Sequence, residues 1–213
     1  MTIWGFISDV HGNRLALERA ISACRAKGAQ RLVYLGDLLG RGDADGCVQR
    51  IAATASLSVV GNRDLDWAQR VSAESRAYVL SLPRMAEASD FAVVHGDARL
   101  MRDASADDQR RGFKRSYQWL RSRNKRVLFF GHTHWARIWR KASLESEPEL
   151  IPDRQVILPD EAETVYFVNV GTTGLPFPGK GPPCCAVYDD DSHLVEHLII
   201  GTARGRAVQP GFD

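Results

Sequence analysis

The chain has 213 residues, 44% of them hydrophobic and 25% charged, with a formal net charge of +2. These values exclude a disordered or fibrous chain and suit a single domain over residues 1–213 with a core that needs no disulfides. The net charge is too small to select a partner.

The four cysteines, Cys24, Cys47, Cys184 and Cys185, lack the C-x-x-C spacing of a thiolate zinc site, so reduced core thiols are expected. The apolar run over residues 3–7 meets Asp9 too soon for a signal-peptide core or a membrane span, and a cytoplasmic protein is expected. Residues 2–8 predict a buried strand emptying into a polar loop at Asp9, His11 and Gly12. Leu17, Ala20, Ile21 and Cys24 then recur at i, i+3, i+4 and i+7 behind a candidate Asn13 cap, and Gly28 is a natural stop, which predicts a helix. Residues 31–35 predict a strand ending at Gly36-Asp37, residues 46–54 a short helix, and residues 57–60 a strand ending at Gly61-Asn62. After a helical stretch closing near Leu82-Pro83, residues 85–94 predict a hairpin that turns at Ser89-Asp90 and ends at His95-Gly96. Residues 110–124 place Phe113, Tyr117 and Leu120 on one helical face, and residues 127–130 run into Gly131-His132-Thr133-His134. The last third offers short strands at 136–140, 155–158, 165–170, 184–188 and 194–200. Pro148, Pro152 and Pro159 break the region between the first three, and residues 171–183 form a Gly/Pro-rich loop.

Five predicted strands therefore end in Asp, Asn or His. Asp9, His11, Asp37, Asn62, His95, His132 and His134 are seven oxygen or imidazole donors, most of them beside a glycine that lets the backbone turn sharply. Taken singly, Asp-x-His reads as a cap or turn, Gly-Asp and Gly-Asn as turn dipeptides, and His95 as a strand-end histidine. Gly-His-x-His has little structural purpose, and four of the chain's six histidines fall inside these motifs. Seven donors are too many for one ion, and mixed oxygen and nitrogen suits Mn²⁺, Fe or Zn²⁺ better than Ca²⁺.

Asp9-Val10-His11, Gly36-Asp37, Gly61-Asn62, His95-Gly96 and Gly131-His132-Thr133-His134 resemble the five motifs of the calcineurin-like metallophosphoesterase superfamily. The loop over residues 169–176 resembles one found in small prokaryotic phosphodiesterases of that superfamily. The resemblance implies an α/β fold, a four-layer α-β-β-α sandwich of two mixed β-sheets with helices outside and a dinuclear metal site at the sheet edge. It implies that Asp9, His11 and His134 hold one divalent ion, that Asn62, His95 and His132 hold a second, and that Asp37 bridges them, with Mn²⁺ favoured. It also implies hydrolysis by a water or hydroxide activated between the ions. Asp37, Asn62 and Arg63 are the catalytic candidates.

The superfamily's third motif carries a histidine where this chain has Arg63, in Gly61-Asn62-Arg63-Asp64. A guanidinium cannot act as an acid, so Arg63 is read as an electrostatic clamp on phosphate. Residues 36–42 resemble a phosphoprotein phosphatase segment that places Arg41 at a phosphate, although Gly40 replaces its aspartate. Arg110, Arg111, Lys114, Arg115, Arg121, Arg123, Lys125 and Arg126 lie in one stretch with no acidic residue among them, read either as a solvated face or as a field that attracts nucleotides or nucleic acid. Asp107 and Asp108 are expected to favour the helix macrodipole. The reading is a phosphodiesterase for a small nucleotide-like or organic diester. Its alternatives are a phosphomonoesterase or dinucleotide hydrolase using the same metals, and a metal-bearing scaffold without turnover. The expected partner is a small phosphoester, with nucleic acid less favoured and no membrane; sequence leaves the oligomeric state open.

Overall fold

The computed structural model describes residues 1–96 and 106–201, with side chains from residue 110 onward in the second stretch. Asp107 and Asp108 therefore have side chains outside the described residues. Apolar residues at alternate positions build two mixed six-stranded sheets. The first has the order β3 (Ala55–Ser58), β2 (Arg31–Tyr34), β1 (Ile3–Ile7), β11 (Cys184–Asp189), β12 (Leu194–Ile199), β9 (Gln155–Ile157). The second has the order β4 (Met85–Ala88), β5 (Phe91–Val94), β6 (Val127–Phe130), β10 (Val165–Asn169), β7 (Arg137–Lys141), β8 (Glu149–Ile151). Strands β1, β2 and β3 run parallel, as do β5, β6 and β10, and the remaining pairings are antiparallel.

The alternation assigns each face. Phe6, Val33, Leu35, Val93, Phe129 and Tyr166 point into the space between the sheets. There Phe6 stacks on Phe129 with centroids 3.9 Å apart, and Phe91 meets both edge-on. Full burial of each ring contributes about 2–3 kcal/mol. On the outer face of the first sheet, Ile7, Leu32 and Tyr34 pack against helices α1 (Arg14–Ala26) and α2 (Ala44–Ala52). On the outer face of the second, Leu128, Phe130 and Phe167 pack against Phe113, Tyr117 and Leu120 of α5 (Ala106–Ser122). The result is the expected four-layer sandwich. All four cysteines are buried free thiols. Among the described residues no helix is long and apolar enough to cross a membrane.

Asn13 caps α1 by accepting from Ala16 N, and Asp43 caps α2 by accepting from Gly46 N. The expected hairpin forms with Ser89 at φ 41°. Two local differences stand out. The helical stretch before Leu82-Pro83 is broken into α3 (Asn62–Trp67), a 3₁₀ turn (Ala68–Arg70) and α4 (Ala73–Ser81), because Ser72 caps a new helix through Ser75 N. Between the expected breaks at Pro148 and Pro152, Glu149–Ile151 pairs with β7 as an edge strand.

Candidate metal centre

The C-terminal ends of the parallel strands lie along one rim, where the loops after β1, β2, β5 and β6 meet the start of α3. Backbone bonds zip the first two loops together, from Asp9 N to Gly36 O, His11 N to Asp37 O and Gly12 N to Leu38 O. Gly36 takes φ 83°, and a Cβ there would lie 2.5 Å from Gly61 N, so only glycine lets the second and third loops touch. Gly131 likewise has no room for a side chain against Ser8 and Asp9.

Two groups of side chains converge, Asp9 with His11 and His134, and Asp37 with His95 and His132, the potential ligand atoms of each group lying within 4.8 Å of one another. Asp37 stands between them, with Oδ1 3.3 Å from His95 Nε2 and Oδ2 3.8 Å from His11 Nε2. Asp9, His11, Asp37, His132 and His134 all have positive φ, between 50° and 67°. Such left-handed conformations cost on the order of 1–3 kcal/mol each and persist where the surroundings or a ligand hold them.

The ring nitrogens reveal what the centre needs. His95 Nδ1 lies 2.7 Å from Leu35 O and His134 Nδ1 2.6 Å from Leu175 O, contacts that place a hydrogen on each Nδ1 and direct a lone pair from each Nε2 into the site. His134 Nε2 then faces His11 Nε2 at 3.2 Å, and His95 Nε2 faces His132 Nδ1 at 3.3 Å. Each contact is a hydrogen bond only where the facing nitrogen of one ring carries a hydrogen, and a cation between the rings could take the place of that hydrogen. Asp9 Oδ2 accepts from Ser8 Oγ at 2.6 Å and from His132 N at 3.0 Å, whereas the buried Asp9 Oδ1 faces His134 Nε2 at 3.1 Å and His11 Nε2 at 3.7 Å. Burial pushes the Asp9 carboxyl up, but contacts with His11 and His134 and the charge of His95 carry it well below the usual carboxylate range. Burial works against protonation of His95, yet Asp37 and Asp9 raise it to about 9, and burial together with His95 lowers His132. Buried carboxylates that draw protons onto neighbouring imidazoles form a donor set lacking positive charge, and divalent cations fit it.

Asn62 begins α3 and is exposed at the rim beside Gly61. Arg63 donates its amide to Asp37 Oδ1 at 2.8 Å, while its guanidinium lies 3.7 Å from Asp66, both side chains more than half exposed. Arg41 is exposed in the segment after Gly40, which packs against the His11 backbone. The structure thus gathers the six carboxylate and imidazole candidates, with Asn62, Arg63 and Arg41 around them.

Several residues outside the seven candidate donors position the site. Asp64 is fully buried and accepts from Leu38 N, Leu39 N and Gly61 N at 2.7–2.9 Å, locking the Asp37 loop to the Asn62 turn. Ser8 orients Asp9. Asn169 Nδ2 donates to Gly131 O and Thr133 Oγ1, and Thr172 Oγ1, Thr173 N and Gly174 N bond the backbone of Ser8 and Asp9, so residues 169–174 clip the β1 and β6 loops together. Phe177 stacks on His134 with centroids 4.6 Å apart.

Residues 1–193 match the sequence profile of the calcineurin-like phosphoesterase superfamily domain. The chain belongs to that superfamily. An uncharacterized protein of Methanocaldococcus jannaschii is 39% identical to this calcineurin-like chain over 59 residues, 27% of this chain and 24% of that protein. A UDP-2,3-diacylglucosamine hydrolase of Ralstonia nicotianae is 33% identical over 166 residues, 67% of this chain and 59% of that enzyme. Both matches span less than two thirds of the relatives' own length. A crystal structure of a metallophosphoesterase from Sphaerobacter thermophilus shares the calcineurin-like fold with a TM-score of 0.73 at 24% identity, covering 92% of this chain and 86% of that one.

Proposed function

We propose that the protein is a metal-dependent phosphoesterase, acting on a small nucleotide-like or organic phosphodiester as a single domain. The observation that carries this reading is the pair of carboxylate-imidazole groups joined at Asp37, with opposed ring nitrogens and the buried Asp9 Oδ1 facing the imidazoles of His134 and His11. Asp9, His11 and His134 would hold one divalent ion, Asn62, His95 and His132 a second, and Asp37 both, with Mn²⁺ as the preferred metal. Two such ions supply a nucleophile at neutral pH and offset charge on the phosphoryl oxygens. Leu35 O and Leu175 O fix the ring tautomers, while Ser8 and the amide of His132 hold Asp9. Arg63 and Arg41 serve the phosphate as rim cations. No histidine follows Asn62 to protonate the departing oxygen, which favours esters whose leaving group tolerates negative charge. Four buried free thiols suit a reducing, cytoplasmic setting.

The test is turnover of bis(p-nitrophenyl) phosphate with added Mn²⁺. Hydrolysis that EDTA abolishes and Asp37→Asn lowers by about 10²-fold or more is expected, whereas bound metal with no turnover of diesters or monoesters would leave a scaffold.

A further inference from the structure

Where β7 and β8 of the second sheet meet the end of β12 in the first lies a cavity of about 240 Å³, and none of the seven candidate metal donors lines it. Its lining sets three cationic side chains, Arg137, Arg154 and Lys180, against one carboxylate, Asp153. Arg137 is half-buried with its guanidinium carbon 3.1 Å from the centroid of the Trp135 ring, and burial holds its pKa below the ordinary value. Neither the Arg137 nor the Arg154 guanidinium forms a hydrogen bond or ion pair with a described residue, Asp153 included. A partly desolvated cation without an acceptor costs free energy that an anion beside it recovers. Lys180 donates to Thr133 O at 3.1 Å, which leaves two of its three donors.

The rest of the wall adds one acceptor and an apolar surface. His197 is buried, and its Nε2 lies 2.8 Å from Asn169 O, a contact that places the ring hydrogen there and leaves Nδ1 as an acceptor. Burial, and after it the charge of Arg154, lower the His197 pKa against that contact, so the ring adds no further positive charge. Three large apolar side chains that the fold leaves exposed, Trp135, Leu150 and Ile199, meet on this wall. A cavity of about 150 Å³ is enough for a benzene ring. The volume here therefore admits a ring together with a charged head.

We propose that this cavity is a binding site separate from the metal centre for a small organic anion, its carboxylate or phosphate head held by Arg137 and Arg154 beside Lys180 and its apolar body against Trp135, Leu150 and Ile199. Planar guanidinium groups hold either kind of head through paired hydrogen bonds, which an ammonium cannot reproduce.

The experiment is calorimetric titration of benzoate, phenyl phosphate and the neutral analogue benzyl alcohol into metal-free protein at low ionic strength. In that state the metal centre presents the carboxylates of Asp9 and Asp37 and repels the anionic probes. The parent, the double variant Arg137→Gln/Arg154→Gln and Arg137→Lys are compared, with thermal unfolding to confirm that each is folded. At least one of the two anions is expected to fill one site per parent chain at least about tenfold more tightly than benzyl alcohol. The double variant should bind that anion at least about tenfold more weakly than the parent, with Arg137→Lys in between, as two charge-assisted contacts are lost. The anion that binds more tightly identifies the head group. Binding of neither anion above the neutral analogue, or equal anion affinity in the parent and the folded double variant, overturns the proposal. The titration involves no turnover and is independent of the phosphoesterase reading.

Discussion

Asp64 and Arg63 are neighbours in the chain and do opposite things. The Asp64 carboxylate is buried beneath three amides, and burial raises it to about 6 despite the hydrogen bonds from Leu39, Gly61 and Leu38. Truncation in Asp64→Ala would leave those amides without an acceptor, each costing about 1–3 kcal/mol. A stability loss of about 3–5 kcal/mol in urea unfolding is expected, together with weaker metal retention, although Asp64 is not in either donor group. Parent-like stability would show that water replaces the carboxylate. Arg63 keeps its amide bond to Asp37 whatever its side chain, and exposed pairs such as Arg63–Asp66 contribute about 0–1 kcal/mol. Arg63→Ala should therefore unfold within about 0.5 kcal/mol of the parent while lowering kcat, by at most about 10²-fold, more than it changes KM. Parent-like rates across aryl and alkyl esters would make Arg63 a rim charge and nothing more.

At the scale of elements, the basic stretch has been given local partners by the fold. Arg110 lies 3.3 Å from Glu147, Lys114 2.6 Å from Glu145 and Arg123 3.3 Å from Glu87. Lys125 donates to Ser89 O, and Arg126 donates to Leu158 O and Pro159 O beside Asp90. These contacts favour the solvated-face reading over a field that draws in nucleic acid. Replacing Arg110 and Lys114 by Gln should leave KM for an anionic ester within about twofold and its salt dependence unchanged, since surface pairs are screened and contribute little. A several-fold rise in KM at low salt would restore the steering role. The strands and their terminal donors were legible because apolar runs broken by glycine and a polar residue mark both the end of a strand and the rim it reaches. The edge strand at Glu149–Ile151 was not, being three residues long between prolines with a mostly exposed pattern. Asp64 was legible as the end of the Gly61-Asn62-Arg63-Asp64 motif but not as a buried anchor, because in the run Asp64-Leu65-Asp66 nothing local separates an anchor from a solvated carboxylate.

For the whole molecule, the decisive feature is that each donor group straddles both sheets. Asp9 and His11 follow β1 of the first sheet, and their partner His134 follows β6 of the second; Asp37 follows β2, and its partners His95 and His132 follow β5 and β6. The packing of Phe6 on Phe129 therefore sets the spacing of the centre, and cations bound there would tie the two sheets together. Ligands that bind only the folded state stabilise it, by about 4 kcal/mol at a thousand times their dissociation constant, which would also offset the left-handed residues at the rim. The central claim is that the two groups form one dinuclear centre joined by Asp37. Its most direct test is elemental analysis of protein loaded with Mn²⁺ and freed of excess metal, for the parent and Asp37→Asn. Two ions per chain are expected in the parent and weakened occupancy of both sites in the variant; a reproducible limit of one ion or none, or two ions held at parent affinity after Asp37→Asn, would contradict a centre bridged by Asp37.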